Sequence, residues 1–197
     1  MLNLIKDVKD VDLTSACMSL ACLRKSFELF WLRFASLYQF IHRPSLAATS
    51  SEATPALLLA IISIGNCFTE DQTGYHIAVA IHQRLRGKIL ELVEETVIPS
   101  TQALQAILLV NFFGRILSSL KHHDLSQIYH PSIIVMAKFA NLFHASSASP
   151  QAIESSRNQG SAQSTVEDWL RWAAAEERKR VAWFCFTNDN MNAVLFK

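Results

Sequence analysis

The feature that most limits the fold is the stretch after Ser164, where two dozen residues pass without a glycine or proline. Ser164 and Glu167 have the spacing of a capping box, which predicts a helix start. At about 100° per residue, Trp169, Trp172, Ala173, Glu176, Arg180 and Trp183 share one face of that helix. Aromatic residues at helical spacing read first as a core-facing stripe and second as the lining of an apolar groove or pocket. Trp183 is accordingly expected to be a buried anchor. Glu176 precedes Arg180 by one turn, the favourable order for an ion pair. Two readings of this pair stand. Its long side chains reach out from the edge of a core, or the pair is partly buried and fixes helix register.

The rest of the chain also reads as helix, and the fold class is all-α, an irregular bundle of about six helices. Residues 1–13 form a polar N-terminal segment, and residues 14–197 form one helical domain. Thr14 or Ser15 is placed to cap a helix to about Phe40, with Phe27, Phe30, Trp31, Phe34 and Tyr38 at helical spacing. Arg43-Pro44 stops it, and 44–53 reads as loop. Thr54-Pro55 opens a helix that is apolar on nearly every face up to Gly65, which implies burial. Gly74 precedes a helix with Ile77, Ile81, Leu85, Ile89, Leu92 and Val93 on one side. Pro99-Ser100 marks the next boundary, with a helix from Ser100 or Thr101 to about Leu120. Residues 121–131 read as a polar connection, and Pro131 as the opening of a helix to about Phe143. Residues 145–164, rich in Ser, Ala, Gln and Asn, read as a flexible polar loop before the last helix. There is no long period-two alternation and no fixed repeat.

Composition narrows the functional classes. The net charge is +1, which gives no global attraction to nucleic acid or to an anionic membrane. The basic groups Arg84, Arg86 and Lys88, and Arg178-Lys179-Arg180, have acids close by and read as solvated helix faces. Charged residues are 18% of the chain, against roughly 25% in an average soluble domain, which suggests surface meant for another segment or chain. Cys17, Cys22, Cys67 and Cys185 are scattered in apolar surroundings, as suits reduced thiols in an intracellular protein. No signal-peptide pattern opens the chain, and its longest apolar run, Ala56 to Ile64, is far short of a membrane span of about 20 residues. No phosphate-cradling glycine motif or nucleophile elbow occurs. His122, His123, His130 and His144 read as solvated helix-end residues, and Asp189 has no carboxylate partner at a useful spacing. No catalytic residue, metal site or cofactor is expected.

Several motifs lie in a recognisable order. Trp169, Trp172, Glu176, Lys179-Arg180, Trp183 and Asp189, followed by Asn192 to Phe196, resemble a signature of the fungal-specific transcription factor domain, the middle homology region of fungal zinc-cluster and zinc-finger activators. Ile41-His42-Arg43-Pro44-Ser45-Leu46 is similar to its "H-R-P-T-F" segment, and Leu57 to Gly65 to its "LLLAILALG". Leu104-Gln105-Ala106-Ile107-Leu108-Leu109 resembles "LQALLL". Met136-Ala137-Lys138 through Leu142 resembles "A-R-x-x-G-L", with Asn141 where the family usually has glycine. The resemblance covers about residues 27–197. It implies His42, Arg43, Pro44, Gln105, Trp169, Trp172, Glu176, Arg180, Trp183 and Asp189 as motif residues, with His42 packing and hydrogen-bonding in its turn. It implies a nuclear regulatory domain controlling a metabolic or secondary-metabolite gene set, without a zinc DNA-binding module of its own. Such a domain meets DNA only indirectly and works through a protein partner or the remaining helices of a larger regulator. An apolar surface around Leu57–Ile64 or on the aromatic stripe would then favour self-association. The alternative is a stand-alone helical adaptor or ligand-binding protein of a biosynthetic gene cluster.

Overall fold

A computed structural model describes residues 19–48, 55–95, 98–144 and 162–195. The expected polar segment 1–13, the caps at Thr14, Ser15 and Thr54, and most of the loop 145–164 lie outside these residues. The described residues are all-α. Helix α1 spans Leu20–Leu29 and runs into a wide π-helical turn at Phe30–Phe34; α2 spans Arg43–Ala48, α3 Pro55–Asn66 and α4 Gln72–Glu95. Helix α5 spans Thr101–Phe112 with a second wide turn at Phe113–Leu117, α6 spans Leu120–Phe139, and α7 spans Ala162–Leu195.

The core is built around α3 and α5. Leu57, Leu59 to Asn66 in α3 and Ala103 to Phe112 in α5 are buried, so both helices are apolar on all sides because neighbours cover all sides. Helices α1, α4 and α5 pack round α3. Its crossing with α1 is close enough that a Cβ on Gly65 would collide with the Ser26 carbonyl oxygen. Polar groups at these crossings are paired: Ser26 Oγ donates to Asn66 Oδ1 at 2.9 Å, and Ser63 Oγ to the Ala78 carbonyl at 2.9 Å. Ser100 caps its helix as expected, and Ser19 opens α1. Ser19 Oγ accepts from the Cys22 N–H, and Ser100 Oγ from the Ala103 N–H at 3.1 Å. An aromatic junction joins the chain's two halves. Phe40 stacks on Phe184 with ring centres 3.9 Å apart, and Phe34, Tyr38 and Phe112 complete it.

Several boundaries differ from expectation. The first helical run ends with the wide turn at Phe34, short of Phe40, and residues 43–48 are helix rather than loop, with Pro44 in the first turn, where its missing N–H costs nothing. Helix α4 starts at Gln72, capped by Asp71, whose Oδ1 accepts from the Thr73 N–H at 3.0 Å. Helix α7 begins at Ala162, so Ser164 lies inside it. The largest difference is α6, which includes the whole of 121–131 and carries Pro131 in its interior. Its buried face is His122, Ser126, His130, Ile133 and Ala137, polar over the first half, so hydrophobic periodicity gave no signal there. His122 and His130 are buried, not solvated as expected.

Helix α6 also ends earlier than Phe143. Asn141 has φ 51°, the left-handed region. The Asn141 N–H donates to the Lys138 carbonyl at 2.9 Å, and the Leu142 N–H to the Ala137 carbonyl at 3.0 Å, the two bonds of a Schellman end. Leu142 folds back into the core.

Candidate functional site

The motif residues converge in part on a side chain that sequence reasoning passed over. Glu177 Oε1 accepts from Gln105 Nε2 at 2.8 Å and from the backbone N–H of His42 at 3.3 Å. Gln105, fully buried in α5, also donates to the Phe40 carbonyl at 3.1 Å. One carboxylate therefore ties α7 to α5 and to the turn before α2. His42 Nδ1 closes that turn on Ser45 Oγ at 2.7 Å. Arg43 reaches back to Glu28 at 2.6 Å, with its guanidinium over the Trp31 ring, and Pro44 is exposed beside it.

Glu176 and Arg180 meet at 3.1 Å with Lys179 in support at 3.6 Å. Both partners are partly exposed, 29% and 38%, which matches side chains reaching out from the core's edge. The hydrogen bond from Arg180 holds the Glu176 carboxyl below its usual range. With His42, Trp172 and Ala173 this pair rims a shallow recess over Glu177.

The aromatic stripe is a correction. Trp169 is 41%, Trp172 52% and Trp183 67% exposed, whereas Ala173, Val181, Phe184, Cys185 and Asn188 are buried. The inward face is offset from the stripe by about 100°, one residue of helical phase. Polar demand set that phase. Gln105 and Arg115 are buried in the α5 region and need acceptors, which Glu177 and Asn188 supply from α7. An unmet buried donor costs more than an exposed indole. The spacing Ala173, Glu177, Val181, Phe184 and Asn188 carried the correct phase, with small and polar side chains where the eye looks for large ones.

Toward its far end α7 closes a polar seam with α5 and α6. Arg115 donates to the Asn188 carbonyl at 3.2 Å and to its Oδ1. Asn188 faces Asn111 Oδ1 at 3.5 Å, and Asn111 Nδ2 donates to the Ser126 carbonyl at 2.8 Å. Burial lowers the Arg115 pKa. Asp189 meets the buried His130 Nε2 at 2.8 Å, so its partner is a histidine on the preceding helix, α6, rather than a second acid. Arg178, expected to be solvated, donates to the Ala140 carbonyl at 2.9 Å and so holds the end of α6. Burial pushes the Cys67 thiol up to about 12 and the Cys185 thiol up to about 11, so neither is a nucleophile near neutral pH. Among the described residues no group of three or more His, Cys, Asp or Glu is arranged to hold a metal ion, and no helix is long and apolar enough to cross a membrane.

Comparison with known proteins gives one consistent direction. The family described as the fungal specific transcription factor domain matches residues 27–197. The chain is 30% identical over 167 residues to the zinc finger protein klf1 of Schizosaccharomyces pombe, covering 85% of this chain and 21% of that protein. It is 29% identical over 188 residues to the nicotinate catabolism cluster-specific transcription factor of Emericella nidulans, covering 94% of this chain and 21% of that protein. To the zinc finger protein zas1 of Schizosaccharomyces pombe it is 28% identical over 181 residues, covering 92% and 20%. The chain thus spans about a fifth of the length of these relatives. No solved structure matches it.

Proposed function

The chain belongs to the fungal specific transcription factor domain family, and on that premise we propose that it is a nuclear regulatory domain acting through helix packing and partner contacts rather than catalysis. The observation that carries the reading is the division of labour on α7. One face is locked to α5 through Glu177 and Asn188, while Trp169, Trp172, Trp183 and Phe186 stand exposed on another. A locked helix offering several large aromatic side chains is suited to bind a further helix. The regulated genes are a metabolic set, a reading supported by the nicotinate catabolism relative. DNA is met indirectly, since the net charge of +1 offers no backbone-tracking surface.

Fusion of the chain to an unrelated DNA-binding domain in a fungal reporter strain tests this. The fusion is expected to alter reporter output, and replacement of Trp169, Trp172 and Trp183 by serine is expected to abolish the effect while the chain still unfolds in one cooperative transition. A folded fusion with no effect on the reporter would overturn the reading. So would tight, salt-resistant, sequence-selective DNA binding by the chain alone in a mobility assay.

A further inference from the structure

The exposed face of α7 carries a pattern finer than an aromatic stripe. Trp169, Trp172, Glu176, Lys179, Trp183 and Phe186 follow one another at spacings of three, four, three, four and three residues. That is the a/d repeat by which one helix lays a continuous seam against another. The four aromatic members are exposed, and Glu176 and Lys179 between them are open to solvent in part. The seam lies on a different face from Glu177 and Asn188, which lock α7 to its own core. A second helix can therefore lie on it without disturbing the fold.

The pattern is also a near-palindrome: two aromatics, a charge, a charge, two aromatics. We infer that this face is the seam of a symmetric antiparallel dimer, its occupant being α7 of a second copy of this chain. A two-fold axis passing between Glu177 and Arg178 sets Trp169 opposite Phe186, Trp172 opposite Trp183 and Glu176 opposite Lys179 of the other copy, and makes each contact twice. Charge selects both occupant and direction. In a parallel pair in register, Glu176 would face Glu176 and Lys179 would face Lys179, two like-charge layers at the centre of the seam. In the antiparallel pair each acid meets a base. Glu176 keeps its own Arg180 and gains Lys179 of the other copy. An unrelated helix would have to present an acid and a base in that same order, which α7 itself does.

At 1.5 Å per residue the seam is about 26 Å long. Roughly half of each aromatic side chain is open, so pairing covers on the order of 800 Å² of aromatic surface. Flanking side chains bring this to the lower edge of specific interfaces, about 1,200 Å². The dimer is therefore a weak one, with a micromolar dissociation constant. The inference rests on the regulatory reading's view of this face as a docking surface and names what docks there.

The test is sedimentation equilibrium of the full chain across the micromolar range, where a monomer–dimer equilibrium is expected. Trp183→Ser is expected to raise the dissociation constant at least about tenfold. Lys179→Glu sets acid against acid in the central layers and is expected to do the same. Adding Glu176→Lys to it restores opposite charges in the antiparallel pair alone, and is expected to recover most of the affinity. Cooperative unfolding checks that each variant is folded. If one is not, the unsubstituted chain decides: in a mixture of isotopically light and heavy chains, carbodiimide is expected to join Lys179 of one copy to Glu176 of the other. A chain monomeric throughout the range, a dimer indifferent to Trp183→Ser, a double variant as weak as Lys179→Glu, or crosslinks within single chains only would overturn the inference. A monomeric chain whose reporter fusion still acts refutes the dimer alone, whereas a dimer whose fusion is silent refutes the regulatory reading alone.

Discussion

Glu177 Oε1 lies 2.8 Å from Gln105 Nε2, joining the last helix to the middle of the most enclosed one. Gln105 is 0% exposed, so water cannot replace that acceptor. Glu177→Leu is expected to lower stability by about 1–3 kcal/mol in urea unfolding, the range for a buried donor left unpaired. Glu177→Gln keeps an oxygen in place and should lose less than half as much. Equal losses would show that the contact matters for packing alone.

Trp183 and Phe184 are neighbours in sequence with opposite environments, 67% and 6% exposed. Phe184→Ala should cost on the order of 3–5 kcal/mol, because it empties the stack on Phe40 and the contacts to Tyr38 and Phe112. Trp183→Ala should cost roughly 1 kcal/mol or less. Thermal unfolding of the two variants separates them, and a Trp183 loss as large as that of Phe184 would contradict the helical phase described here.

Asn141→Gly should stabilise the protein by about 0.5–1 kcal/mol, because glycine enters the left-handed region without the Cβ penalty. Asn141→Val should destabilise it by at least about 1 kcal/mol. Arg178 addresses backbone carbonyls at this site, so its contact survives both changes. Chemical denaturation midpoints check the sign.

Acid sensitivity should trace in part to His82. Its folded pKa, about 3, lies below the ordinary histidine value of 6.5, so between these values the unfolded chain binds the extra proton. Stability is therefore fully present above about pH 6.5 and falls as the pH drops toward 3. The slope is at most about 1.4 kcal/mol per pH unit. Burial is the main cause, with His122 and Arg86 adding to it. His82→Gln should flatten the dependence of the urea midpoint on pH between 6.5 and 4.5, and an unchanged slope would rule His82 out as its source.

The fold class was legible because α3 and α5 announce themselves: a run such as Leu57 to Ile64, apolar at every position but Ser63, has few uses other than a covered helix. The break at Pro99-Ser100 was legible for a local reason, since Ser100 caps α5 with its own side chain. The first half of α6 was hidden because its inward residues are His122, Ser126 and His130, whose burial depends on partners far along the chain. The phase of α7 was misread for the same reason. Indoles weigh heavily in any hydrophobic pattern, but Glu177 and Asn188 answer buried donors on α5, and nothing in α7's own sequence reveals those donors. Asn141 is the intermediate case: its place in a glycine position was visible, and the left-handed turn explains it.

The polar closure of α5 has a meaning in time as well as in space. During synthesis α3 and α5 leave the ribosome well before α7, yet the side-chain acceptor for Gln105, the acceptors for Arg115 and the stacking partner of Phe40 belong to α7. A nascent chain that stops short of Glu177 therefore holds an apolar core with open hydrogen-bonding valences at its centre. Its interior becomes complete only when α7 docks, so a chain released before that helix is made is poised for capture by chaperones or proteases rather than for partial function.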